Sequence, residues 1–531
     1  MTTRTADDVA ALTGWNADWR GLRVAVLGLG VTGFSVADTL AELGAELIVL
    51  AGSADAELTR ILDVLGVRWV EHDLERELVD FGPELVVVSP GFRPDHPLVT
   101  AAQSTGAPLW GDVELAWRLR DKVLNPETGM PAEWIAITGT NGKTTTTQLT
   151  TAMIAEAGGR VIACGNVGIP VLDAIRDPLG WDVLVVELSS FQLHYLDSMS
   201  AWAAACLNIA DDHLDWHGSA AAYRAAKGKV YENAKAICLY NLDDEATREL
   251  VEQAEVVEGC RAVGFGLGVP GPSDVGIIDG ILIDRAFHDD RQHSALEITT
   301  VHDLAESGLA SPHMTANVLA AAALARSAGV TIEQIRAALA AFRLDAHRTE
   351  TVAEAGGIRW VDDSKATNPH AAQAALSAFP SVVWIVGGLF KGVDVDALVA
   401  ENVRRLHAAV LIGTDRTALR EAFTRHAPEL PVLEVTTTDT EEVMPTAVNL
   451  AADVARAGDT VLLAPAAASM DQFADYADRG KRFADAVRIQ TAQAEPDSAT
   501  PGPATPGTAT PGTATGGPTD DDEHSAPSTD A

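Results

Sequence analysis

The chain has 531 residues, 47% of them hydrophobic, which is enough for sizeable cores and about three domains. A formal charge of −37 excludes a general nucleic-acid or membrane-surface binder, because both need positive surface. No apolar run reaches the roughly 18 residues of a bilayer span. The N-terminus, Met1-Thr-Thr-Arg-Thr-Ala-Asp-Asp8, lacks the apolar stretch of a secretory leader, so a cytoplasmic protein is expected.

Strand-like runs alternate with Ala-rich helical stretches. They are Val24–Leu27, Leu47–Leu50, Leu85–Ser89, Trp134–Thr138, Val183–Glu187, Ala204–Ile209, Ile237–Tyr240, Val382–Val386, Ala409–Ile412 and Val461–Ala464. Continuous apolar strands separated by helices predict an α/β chain with parallel sheets covered on both faces. Ligands in such sheets gather at the C-terminal strand ends. The expected division is 1–111, 112–344 and 345–490. Residues 491–531, with repeated Thr-Pro-Gly and no Lys or Arg, are too polar to build a core and are expected to be disordered. Asp121–Pro131 reads as a surface insertion, and residues 265–312 carry short strands such as Gly276–Ile283 but no readable function. Cys164, Cys206, Cys238 and Cys260 are widely spaced without a Cys-x-x-Cys pair, which predicts free thiols in a reducing compartment.

Gly28-Leu-Gly30-Val-Thr-Gly33 lies between a strand and a helix, the setting of a dinucleotide fingerprint. The next strand, however, runs into Ala51-Gly-Ser53 with no acid to hold a ribose, so a glycine turn for another diphosphate is the better reading than NAD. Ser89-Pro90-Gly91 ends another strand and is either a ligand turn or an ordinary strand-end turn.

Ile135-Ala-Ile-Thr-Gly139-Thr-Asn-Gly142-Lys143-Thr144-Thr145 is a phosphate-cradling loop. Its N–H groups and helix N-terminus face an anion, Lys143 supplies a point charge, and Thr144 can reach magnesium. It is shorter than the common P-loop, with only Thr140 and Asn141 between its glycines. Glu187, at the end of Val183-Leu-Val-Val, needs a cation or hydrogen bonds, and magnesium between Glu187, Thr144 and phosphate would satisfy it. His213 is either a second-metal ligand, a phosphate-positioning group or structural. Asn166 either donates to a phosphate or caps its turn. Lys227 and Lys229, on a predicted helix, either offset substrate charge or form a solvated face. Further on, Trp360-Val-Asp-Asp363-Ser-Lys365-Ala-Thr367, Gly387-Gly-Leu-Phe-Lys391 and Leu463 to Ser469 suit recognition of a nucleotide and a small zwitterion.

Together Gly139–Thr144, Gly165-Asn166-Val-Gly168, Glu187-Leu-Ser-Ser-Phe-Gln192, Asp212-His213 and Tyr223-Arg-Ala-Ala-Lys227 resemble the Mur ligase family, over about residues 20–490. The Glu187–Gln192 run is most similar to the family's D-glutamate-adding branch. The resemblance implies a Rossmann-like N-terminal domain for a UDP-sugar, a central P-loop ATPase domain and a Rossmann-like C-terminal domain. It implies ligation of D-glutamate to UDP-N-acetylmuramoyl-L-alanine with ATP and two magnesium ions, by a monomer, with hinge motion near residues 343–348. It also implies roles for individual residues. Gly30, Val31, Thr32, Ser89, Pro90, Gly91 and Asn166 would contact the UDP-sugar; Gly139 to Thr145, Asn317, Arg348 and Asp363 would contact ATP; Lys365, Thr367, Lys391, Ser469 and Tyr476 would surround D-glutamate. Lys227 would be carbamylated and share the second magnesium with His213, making Lys143, Glu187, His213 and Lys227 the catalytic set. Three features depart from the family pattern: Ala51 where an acid is usual, Met314 after His313, and a more apolar Gly388-Leu-Phe-Lys391 loop.

Overall fold

The computed structural model describes residues 4–344 and 347–494. The expected start of the third unit at Asp345 and the tail from residue 495 onward lie outside the described residues.

Three sheets organise the chain. The first holds β1 (Arg23–Leu27), β2 (Glu46–Leu50), β3 (Arg68–Val70), β4 (Leu85–Val88) and β5 (Leu109–Gly111), all parallel, in the order β3-β2-β1-β4-β5. Val24 to Leu27 and Leu85 to Val88 are buried without alternation, as strands covered on both faces must be.

The second sheet holds β6 (Glu133–Thr138), β7 (Val161–Gly165), β8 (Val183–Glu187), β9 (Ala203–Cys206), β10 (Ile237–Asn241), β11 (Arg261–Phe265), β12 (Asp274–Ile278), β13 (Ile281–Asp284) and β14 (Leu296–Thr300). Its order is β14-β13-β12-β11-β10-β9-β6-β8-β7. The third holds β15 (Glu350–Ala355), β16 (Ile358–Asp362), β17 (Val382–Gly387), β18 (Leu406–Ile412), β19 (Val432–Glu434) and β20 (Thr460–Leu463), ordered β15-β16-β20-β17-β18-β19.

The expectation of purely parallel sheets is corrected at two edges. β12, β13 and β14 pair antiparallel, and so do β15 and β16. Each of the tight hairpins has a two-residue loop with both φ positive, Asp279-Gly280 and Gly356-Gly357, the turn chemistry that matches strand twist.

The first two sheets share one continuous core. It runs from Val24 and Val26 through Trp110 and Trp117 to Trp134 of β6. Trp117 meets Trp134 edge-on at 5.1 Å between ring centres. Arg176 ties the helix Val171–Arg176 to the helix Val31–Glu42 through Asp38 at 2.7 Å. The third sheet carries core clusters on both faces, one including Trp384 and Phe423, the other Trp360 and Phe483.

The helix Pro312–Ser327 is buried all round from Val318 to Ala325, and it lies against the helix Lys143–Glu156 that follows the phosphate loop. Its first turns thereby carry Asn317 to the loop.

Candidate active site

The phosphate loop joins β6 to the helix Lys143–Glu156. Gly142 is its N-cap at φ +82, and a Cβ there would lie 2.4 Å from Asn317 Oδ1. Only glycine meets both conditions. Neighbouring strand ends hold the loop's shape. Asn208, just beyond β9, accepts from the Asn141 N–H at 2.8 Å and donates back to its carbonyl at 3.1 Å. The Thr140 hydroxyl meets Tyr223 Oη at 2.9 Å and the Ala210 N–H at 2.9 Å. Lys143 Nζ donates to the Gly139 and Thr140 carbonyls at 2.9 and 3.0 Å. Burial lowers its pKa, while Glu187 and Asp212 pull it back up.

Lys227 projects from the helix Ala220–Gly228 beneath the same loop, fully buried, with Nζ 2.8 Å from the Gly139 carbonyl and 3.2 Å from Thr138 Oγ1. Burial, then the nearby Lys143 charge, brings its pKa down to about 7. An ordinary lysine is an ammonium at neutral pH; this one is partly a free amine.

Glu187 ends β8. Its Oε1 accepts from Asn166 Nδ2 at 2.9 Å, whereas Oε2 is buried with no hydrogen-bond partner. An acid oxygen left without a donor suits a hard cation with oxygen ligands. His213 sits at φ +53, with Nε2 3.7 Å from Asp212 Oδ2 and its ring edge-on to Phe191 at 4.6 Å. Burial depresses its pKa to about 3, which keeps the imidazole neutral and able to ligate. The donor set therefore fits magnesium. A separate group, His347, Glu350 and Asp362, also brings ligand atoms together, but His347 Nδ1 already bonds Asp362 Oδ2 at 2.6 Å.

A cleft of about 640 Å³ opens between the second and third sheets. It is lined by Asn141, Gly142 and Asn317 on one side and by Arg348, Asp363, Lys365 and His370 on the other. Phe265 and Leu267 also line it, so the stretch after residue 265, silent in the sequence, supplies an apolar wall. Asp363 accepts from the Thr349 N–H at 3.1 Å, and burial raises its pKa to about 7.

The third sheet brings its loops to the same place. Lys391, at φ +54, pairs with Asp212 at 3.3 Å. Lys365 Nζ stands 4.8 Å from the centre of the Tyr476 ring. Arg479 is fully buried; it donates to Ser364 Oγ at 3.0 Å, the Ser364 carbonyl at 2.8 Å and the Ala467 carbonyl at 3.1 Å. It thus knits the Ser364–Thr367 loop to the loop carrying buried Ser469.

The glycine turn after β1 lies apart from this cleft. Gly30, Val31, Thr32, Ser89, Pro90 and Gly91 line a cavity of about 480 Å³ with Phe92, Arg93 and His96. The helix Val31–Glu42 begins at Gly30 without a side-chain cap, and Ser89 Oγ is buried without a partner. A Cβ on Gly33 would lie 2.1 Å from the Gly28 carbonyl, so the turn and helix approach as closely as glycine permits. Asn166 does not line this cavity; it is on Glu187.

Three domain families match in the order of the three sheets: a MurD-like N-terminal domain over residues 22–111, the Mur ligase middle domain over 137–325, and the Mur ligase glutamate ligase domain over 347–467. The chain is 64% identical over 495 residues to the UDP-N-acetylmuramoylalanine–D-glutamate ligase of Leifsonia xyli subsp. xyli, covering 91% of this chain and 96% of that one. This chain belongs to the Mur ligase family. It is also 51% identical to the protein of the same name from Streptomyces avermitilis, covering 89% and 99% of the two chains. Among solved structures, UDP-N-acetylmuramate-alanine ligase MurC from Thermotoga maritima shares the fold at 18% identity and a TM-score of 0.52, covering 88% of this chain and 99% of that one.

Sequence reasoning passed over several residues of this Mur ligase that hold the site together. Asn208 and Tyr223 fell inside runs read for other reasons, Asn368 lay one residue past the run ending at Thr367, and Arg479 had only its place near the start of a charged helix as a signal.

Proposed function

We propose that this Mur ligase joins D-glutamate to UDP-N-acetylmuramoyl-L-alanine at the cost of ATP, a step in making peptidoglycan precursors. The observation that carries the reading is the convergence of Lys143, Glu187, His213 and Lys227 with Lys391 of the third sheet around the loop whose Asn141 and Gly142 line one nucleotide-sized cleft. The names of its relatives supply the substrates.

The alanyl carboxylate attacks the γ-phosphorus of ATP, ADP leaves, and an acyl phosphate forms. The D-glutamate amine, having lost a proton, attacks the acyl carbon, and the tetrahedral intermediate expels phosphate. Lys143 stabilises charge on the transferred phosphoryl group. Glu187, Thr144 and His213 would hold two magnesium ions, whose chemistry is to neutralise phosphate charge. Asn317, Arg348 and Asp363 hold the nucleotide. Lys365, Thr367, Lys391, Ser469 and Tyr476 receive the two carboxylates of D-glutamate. The cavity at Gly30 and Ser89 takes the diphosphate of the UDP-sugar, and Asn166, outside that cavity and bonded to Glu187, contacts another part of the same substrate. The unit boundaries 1–111, 112–344 and 345–490 belong to the same proposal, as do a monomeric state and a cytoplasmic location.

Lys227 is proposed to be a carbamate. A free amine adds carbon dioxide and releases one proton, and the resulting anion turns the repulsion from Lys143 into attraction.

The test is phosphate release from ATP and magnesium with UDP-N-acetylmuramoyl-L-alanine, comparing D-glutamate, L-glutamate, meso-diaminopimelate and no amino acid. Release only with D-glutamate is expected. Release with another amino acid would reassign the amine. Lys143→Ala should lower turnover by about a thousandfold or more with the fold intact; a near-normal rate would remove Lys143 from its role.

A further inference from the structure

We propose that Asn368 is a positioning residue that clasps the phosphate loop only when the third sheet closes on the second. This rests on the ligase reading above. Asn368 precedes the helix Pro369–Ser377 and is buried. Its side chain makes contacts on both sides of the cleft. Oδ1 accepts from the Ala371 N–H at 2.9 Å and so caps its own helix. Nδ2 donates to Asn141 Oδ1 at 3.0 Å and to Asp212 Oδ2 at 3.3 Å. Asn141 answers with Nδ2, 3.4 Å from Asn368 Oδ1 and 3.1 Å from His370 Nδ1. Burial lowers the His370 pKa, leaving a neutral ring that can accept.

Asn141 is inside the phosphate loop, and Asp212 adjoins His213 and receives Lys391. One buried amide therefore ties the nucleotide side and the metal side of the central sheet to the third. Opening the cleft strips Asn141 of partners that hold its side chain. Closure restores them, so loop geometry and domain position are set together.

Asn368→Asp separates the clasp from helix stability. A carboxylate still caps the helix but cannot donate, and it faces the Asp212 carboxylate. Asp212→Asn in the same chain restores a donor–acceptor pair. Turnover, KM for ATP, the thermal midpoint and the radius of gyration with a non-hydrolysable ATP analogue plus UDP-N-acetylmuramoyl-L-alanine are measured for the parent, both single variants and the double variant.

Asn368→Asp should keep the parent's midpoint, lose about tenfold or more in kcat, and fail to compact with ligands. The double variant should turn over at least about fivefold faster than the product of the single effects, and regain compaction. A kcat for Asn368→Asp within about twofold of the parent, or a double variant equal to that product, would overturn the proposal. Compaction needs no turnover. A parent that compacts but shows no D-glutamate-dependent phosphate release therefore condemns the ligase reading and not the clasp.

Discussion

At the scale of residues, Lys227 makes the sharpest prediction. Its folded pKa of about 7 lies below the ordinary 10.5 of a lysine, so between those values the unfolded chain holds a proton that the folded chain lacks. The unmodified protein therefore gains stability from this group as pH rises from about 7 towards 10.5, and has none of that gain below 7. The same titration governs the modification. After removal of carbon dioxide, activity should return, at fixed dissolved carbon dioxide, at a rate that rises through pH 7 and levels above it. A rate independent of pH would exclude the free amine as the reactive form. Lys227→Ala should be poorly active and partly restored by short-chain carboxylic acids, and an unmodified native mass without rescue would count against a carbamate.

At the scale of elements, the strand–glycine turn–helix unit from β6 to Lys143 was legible because it is local: glycines, a lysine and hydroxyls adjoin in sequence between a strand and a helix. What keeps that loop in shape was not legible. Asn208, Tyr223 and Asn368 reach it from three other segments, and no periodicity marks a residue whose partner lies across a cleft. Arg479 is similar, since its burial depends on the whole third sheet being in place. The antiparallel edges are a different miss: Asp279-Gly280 and Gly356-Gly357 carried a local hairpin signal that went unread. Gly142 tests how tightly the loop is specified. Gly142→Ala forces a Cβ to 2.4 Å from Asn317 Oδ1 at φ +82, a conformation that alone costs about 1–3 kcal/mol. Affinity for ATP should fall by about tenfold or more, read by titration calorimetry, and the same strain should lower the thermal midpoint by about a few degrees. Unchanged affinity would mean that the loop relaxes without cost.

At the scale of the whole molecule, charge and site oppose each other. The chain carries −37, yet Lys143, Lys391 and Arg348 gather around the loop proposed to hold a polyanionic nucleotide. The long-range field repels ATP while the local field attracts it. Screening acts first on the former, because the Debye length is about 10 Å at 0.1 M salt. Hence kcat/KM for ATP should rise as salt increases from about 10 mM towards 100 mM, and fall only beyond that. A steady fall across the whole range would show that the acidic exterior has no influence on encounter. The expected three-unit α/β organisation was readable because buried parallel strands leave uninterrupted apolar runs. The shared core joining the first two sheets was not, because Trp110, Trp117 and Trp134 meet only in three dimensions.

The opposed placement of the phosphate loop and the Arg479-braced loops has a consequence for how such a molecule can change. On the proposed reading, activation of the acceptor belongs to the central sheet and choice of amine to the third. The covalent link between them runs from the helix Ile332–Ala341 to β15. Recombination at that junction can exchange the incoming building block while inheriting the phosphate loop and its supports, provided that the newcomer brings side chains able to take the places of Arg348, Asp363 and Asn368.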